Sequence, residues 1–248
     1  MTTAWGRTLR PYRVHALVLA YLPLLVVADG LLAGRGQVAL GVLTLAVLLI
    51  CLRAVPRPQR LLVWLCVPIA TLFEILGSLV WGGYTYRLEN IPLYVPPGHA
   101  LVFLFGITAA ALPLVERHGA TYVRVVLGLS AAWVVAGLTV LPLATHRFDV
   151  QGAACLPLLA WCLLRSGRGT LFASIWVVTA ALELAGTWSG AWLWAAEAPW
   201  SHLPSANPPA AIAAGYAIID GTVAIVAGAL LRRRSRTRQS PEPQPAAA

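Results

Sequence analysis

The chain has 248 residues, of which 59 % are hydrophobic and only 11 % charged, with a formal net charge of +9. Soluble domains carry about 25 % charged residues. This balance excludes an ordinary soluble globular protein, a disordered chain, a disulfide scaffold and a soluble nucleic-acid binder, and leaves a multi-pass membrane protein.

The N-terminus opens like a signal peptide, with Arg7, Arg10 and Arg13 before an apolar run. The run continues past the usual h-region without a small-residue cleavage site, so it reads as an uncleaved first span. A span needs about 20 mostly apolar residues. Eight stretches qualify: roughly 14–34, 37–55, 61–82, 98–116, 122–144, 149–165, 169–193 and 209–231. The expected fold is therefore all-α, a polytopic helix bundle. Residues 232–248, rich in Arg, Pro and Ser, are expected to be a disordered cytoplasmic tail.

All 18 basic residues are Arg. They cluster before the first span, between spans two and three (Arg53, Arg57, Arg60), at the loop between four and five (Arg117, Arg124), after span six (Arg165, Arg168) and after span eight. The opposite loops hold Arg35, Arg87 and Arg147. Positive-inside logic places both termini in the cytoplasm of an integral cell-membrane protein. The four cysteines, Cys51, Cys66, Cys155 and Cys162, form no CxxC pair and read as buried free thiols.

Three segments recur at nearly one offset. Phe73-Glu74-Ile75-Leu76-Gly77 matches Leu182-Glu183-Leu184-Ala185-Gly186, Val26-Val27-Ala28 matches Val134-Val135-Ala136, and Pro96-Pro97 matches Pro208-Pro209. This divides the chain into a first four-span repeat, 1–118, and a second, 119–231. Four spans is an even number, so the copies are parallel, related by an axis along the membrane normal.

Each copy carries a Glu inside a span, a Gly three residues on, outer aromatics, and a Pro-Pro before the next span. The first reads Glu74, Gly77, Trp81, Tyr84, Tyr86 and Pro96-Pro97-Gly98-His99. The second reads Glu183, Gly186, Trp188, Trp192, Trp194 and Asn207-Pro208-Pro209. Gly77 and Gly186 are expected to let helices approach closely. Asn207 is expected to cap span eight. The aromatics suit either an interfacial belt or a substrate-facing wall.

Asp29, Glu74, Glu183 and Asp220 all fall inside spans. An intramembrane Asp costs about 2.5–3.5 kcal/mol on insertion scales. No Arg lies deep in a span to offset them; His99 and Arg87 sit toward the outer side. A carboxyl buried without a cation keeps its proton, so some of these acids are expected to be neutral. The plainer alternative is a neutral Glu hydrogen-bonded to a carbonyl or to Trp. His99 can donate, accept or shuttle a proton. His15, His118, His146 and His202 lie near span ends as interfacial residues. No metal-ligand spacing, Walker motif or GxSxG occurs, so no metal or cofactor is expected.

At the paired motif the chain resembles the membrane lycopene cyclases and the related carotenoid hydratase-type biosynthesis proteins. Glu74…Gly77…Gly83-Tyr84-Thr85-Tyr86 and Glu183…Gly186…Gly190-Ala191-Trp192-Leu193-Trp194 carry the likeness, over some 35 residues in each half. The cyclases place paired carboxylates directly after the Pro. This chain has Pro97-Gly98-His99 and Pro209-Ala210-Ala211 there, so that acid carries over to neither position.

Three readings stay open. The first is an isoprenoid- or carotenoid-modifying enzyme in which buried acids protonate an alkene, as a cyclase, hydratase or isomerase does. Glu74 and Glu183 would be acid and base, with Asp220 and His99 as helpers. Trp81, Tyr84, Tyr86, Trp188, Trp192, Trp194 and Asn207 would line the substrate site. The second is a proton-coupled transporter or a binding protein for a small or lipidic ligand. The third is a scaffold whose acids only hold helices together. The expected partners are a hydrophobic or lipidic small molecule and membrane lipids, with no nucleic acid.

Overall fold

The computed structural model describes residues 12–239. Eight helices dominate: α1 Arg13–Leu31, α2 Gly34–Cys51, α3 Arg57–Glu74, α4 Val95–Ala109, α5 Pro113–Thr139, α6 Val150–Arg165, α7 Gly169–Ser189 and α8 Ala213–Gln239. A single helical turn, Pro142–Thr145, precedes α6. Among the described residues, six segments are long and apolar enough to cross a membrane, as a multi-pass membrane protein requires, while α4 and α6 are shorter apolar helices. Large side chains such as Leu24, Val42, Leu129 and Ile225 are exposed along these segments, which suits a lipid-facing surface and not a water-facing one.

Proline and glycine set several of the boundaries. Pro lacks an N–H and fits the first helical turn, and it stands there in α3, α4 and α5. Pro113 therefore starts α5 well before residue 122, and α4 ends at Ala109 and not at 116. Gly190 adopts φ 72° and closes α7 at Ser189, a left-handed stop that glycine takes without a Cβ penalty. At the other end α8 continues through the Arg-rich stretch to Gln239. Residues 232–239 are thus helical where composition suggests a disordered end. Positions 240–248, like Arg7 and Arg10, lie outside the described residues.

The expectation of an all-helical chain also needs amending. Two short strands, β1 Tyr84–Tyr86 and β2 Trp192–Trp194, pair antiparallel with Tyr84 opposite Trp194 and Tyr86 opposite Trp192. A smaller ribbon joins β3 Glu197–Ala198 to β4 Leu203–Pro204. Non-helical backbone near a membrane is tolerated where protein buries and pairs it. The β1–β2 ladder meets that condition by pairing the segments that follow α3 and α7.

Helices α3, α4, α7 and α8 form an inner ring in which each packs on the next and α8 closes on α3. Outside it, α2 packs on α4 and α6 on α8. Helix α1 lies on α7 and α4, whereas α5 lies on α7 and α6. Most of α4 is buried, including Gly98, His99 and Leu101.

Candidate functional site

Glu74 ends α3, where the helix widens into a π-helical stretch, Ile75–Val80. Such stretches recur at functional sites. After it the chain turns back through Gly82, at φ 73°, and β1 runs inward. Side chains alternate along a strand. Tyr84 and Tyr86 therefore share one face, and both hydroxyls donate to Glu74 Oε2, at 2.8 and 2.7 Å. The other oxygen, Oε1, lies 2.7 Å from His99 Nε2. One proton must sit between these two atoms, because neither a bare carboxylate oxygen nor a bare imidazole nitrogen can donate.

Glu183 is also held by strand aromatics, but with other chemistry. Trp192 and Trp194 alternate inward on β2, with exposed Leu193 between them. Their indole N–H groups donate to Glu183 Oε2 at 2.9 and 3.1 Å. Tyr216 of α8 donates to Oε1 at 3.2 Å. Indole nitrogen is a donor only, so Oε2 is fixed as an acceptor and any proton on Glu183 must be carried by Oε1.

Two aromatic bridges join the acids. The Tyr84 and Trp194 rings lie 4.7 Å apart, and His99 stacks on Tyr216 at 5.0 Å. Glu74 and Glu183 are both buried and both line one cavity of about 460 Å3, with Leu22, Val26, Val102 and Ile219 among its apolar walls. That volume is ordinary for a small-molecule site, about 300–1,000 Å3. Burial, and after it the neighbouring Glu74 charge, pushes the Tyr84 and Tyr86 phenols well above their usual range. They therefore act as neutral donors.

Trp81, Tyr84, Tyr86, Trp192, Trp194 and His99 also line this cavity, so eight of the sequence-derived site residues meet there. Trp188 does not; it is 81 % exposed and suits the lipid-facing belt. Asn207 does not cap α8. Its Oδ1 accepts from the Trp194 backbone N–H at 3.0 Å and so holds β2 in place. Asp149 caps α6 and ties down the turn before α8: one oxygen accepts from Gly152 N at the start of α6, the other from Ala210 N, three residues ahead of α8. Asp220 is buried one turn beyond Tyr216 and is not part of the wall; among the described residues its Oδ2 has no hydrogen-bond partner.

The two outer-side groups expected as possible cationic partners each reach an acid. His99 reaches Glu74, and the Arg87 guanidinium comes within 3.7 Å of Asp29. The glycines have a different task from the expected one. A Cβ on Gly186 would overlap the Trp192 ring, and one on Gly77 would meet the Tyr84 hydroxyl at 3.0 Å. They make room for an aromatic side chain of the β1–β2 ladder and not for another helix. Sequence reading missed Tyr216; its signal was an aromatic four residues before a buried Asp, on the same helix face.

No family model, curated protein or solved structure matches the chain.

Proposed function

We propose that this protein is an integral-membrane enzyme that moves a proton onto and off an alkene-bearing apolar molecule of the isoprenoid class. The observation that carries the reading is that two buried glutamates, one paired with His, open on a single apolar cavity walled by aromatic rings. The Glu74–His99 pair delivers its shared proton to an alkene carbon as general acid. The faces of Tyr84, Trp192 and Trp194 stabilise the resulting carbocation by cation–π attraction. Glu183 Oε1 then takes a proton from a neighbouring carbon. Atoms balance without an oxidant or reductant, and the net change is an isomerisation or a cyclisation. The resemblance to carotenoid cyclases and hydratases points to a linear carotenoid as substrate. Asp220, one turn from Tyr216, would hold a proton in reserve behind Glu183.

The same reading takes the chain as two parallel four-span copies with both termini cytoplasmic. Its supports are the recurring motif, the matched pairings of α2 on α4 and α6 on α8, and the Arg distribution.

The test is expression in a host that accumulates lycopene, with pigments resolved by retention time and mass. Conversion by the wild type, reduced at least about 100-fold in Glu74→Gln, is the expected result. Conversion unaffected by Glu74→Gln contradicts the assignment. Unchanged pigment together with proton-driven uptake into proteoliposomes would replace the enzyme with a transporter.

A further inference from the structure

Most of the cavity wall is buried or half-buried, but three lining residues are exposed. Leu76, Val80 and Trp200 are 45, 59 and 78 % exposed. They mark the mouth. Two of them, Leu76 and Val80, belong to the π-helical stretch that ends the membrane-length apolar segment Gln59–Val80. Leu72 and Leu79 of the same segment are exposed as well. A mouth onto water would be expected to carry polar residues at its rim; this one is rimmed by Leu, Val and Trp. The widened turn is pinned by Trp81 N–H to Leu76 O at 2.7 Å. The Trp81 indole N–H, bonded to Pro199 O at 2.9 Å, ties the stretch to the loop that carries Trp200.

The cavity of about 460 Å3 is walled mainly by apolar side chains and aromatic rings, so it suits a length of apolar chain. A longer chain must leave its remainder outside, and the apolar mouth lets that remainder stay in lipid.

We infer that the cavity fills sideways from the bilayer, through the Leu76–Val80–Trp200 mouth, and takes the end of a linear apolar chain whose remainder stays among the lipid tails. This rests on the cavity being a site for an apolar chain and not on the proton chemistry, so it can be tested without turnover.

The test uses the full chain in lipid vesicles with a linear polyprene carrying a diazirine at one end, dissolved in the bilayer. After illumination, labelled residues are mapped by mass spectrometry. Val102, buried in the cavity wall, is expected to be labelled in the wild type, with the lipid-facing Ile225 as reference. In Val80→Trp the Val102 label is lost while the Ile225 label persists. If Val80→Trp does not fold, Val80→Cys blocked after folding with a bulky thiol reagent gives the same comparison. A Val102 label that survives the plug overturns the inference. So does a water-soluble diazirine that labels Val102 in its place. Absence of Val102 labelling in the wild type also overturns it, and leaves the proton chemistry to be judged by the pigment test.

Discussion

Glu74 and Glu183 occupy matching places in the two motifs, yet their surroundings differ in kind. Glu74 faces two phenols and an imidazole, groups that can reorient or pass a proton. Glu183 faces two indole N–H groups and one phenol, and the indoles can only donate. The first setting suits an acid that gives a proton up. The second suits a carboxyl held still as an acceptor. The contrast comes from the strand residues, Tyr-Thr-Tyr in β1 against Trp-Leu-Trp in β2.

The largest effect that would sharpen this contrast is on stability. Each buried donor left without a partner costs about 1–3 kcal/mol. Glu183→Leu strands two indole N–H groups that have no freedom to turn elsewhere, and a loss of roughly 2–6 kcal/mol is expected. In Glu74→Leu the Tyr hydroxyls can rotate, and the loss should be roughly half as large. Thermal unfolding of the two variants in detergent checks the order. Equal losses would show that the donor types do not matter.

A smaller effect is expected at the glycines. Gly186→Ala drives a methyl into the Trp192 ring and should pull its N–H off Glu183, at about 1–3 kcal/mol. Gly77→Ala meets the Tyr84 hydroxyl at 3.0 Å and the ring edge beside it at 3.2 Å, and a shift of a few tenths of an ångström absorbs it. Its cost should fall below about 1 kcal/mol. The same unfolding assay reads both. A costlier Gly77→Ala would break the comparison.

Much of this was legible in the sequence because membrane spans and intramembrane acids are expensive choices that leave strong marks. Glu74, Glu183 and His99, and the aromatics near them, could be named from spacing alone. The β1–β2 ladder could not be foreseen with the same ease. Its strands are three residues long, and each pairs with a segment more than 100 positions away, so only the Tyr-Thr-Tyr and Trp-Leu-Trp alternation announced it. That omission led to Gly77 and Gly186 being assigned to helix contacts. Asn207 does not cap α8 because that helix begins only at Ala213, six residues on, and its Oδ1 is taken by the Trp194 backbone N–H. Helix ends set by Pro113 and Gly190 were readable in principle, but the unbroken apolar composition on either side hid them.

Solvent deuterium is the most direct probe of the proton route. Turnover of a linear polyene substrate in D2O vesicles should place one deuterium on carbon per product molecule, and Glu74→Gln should yield neither the product nor the label. Product that forms without deuterium, or labelled product made as fast by Glu74→Gln, would contradict the assignment of the Glu74–His99 pair as the acid.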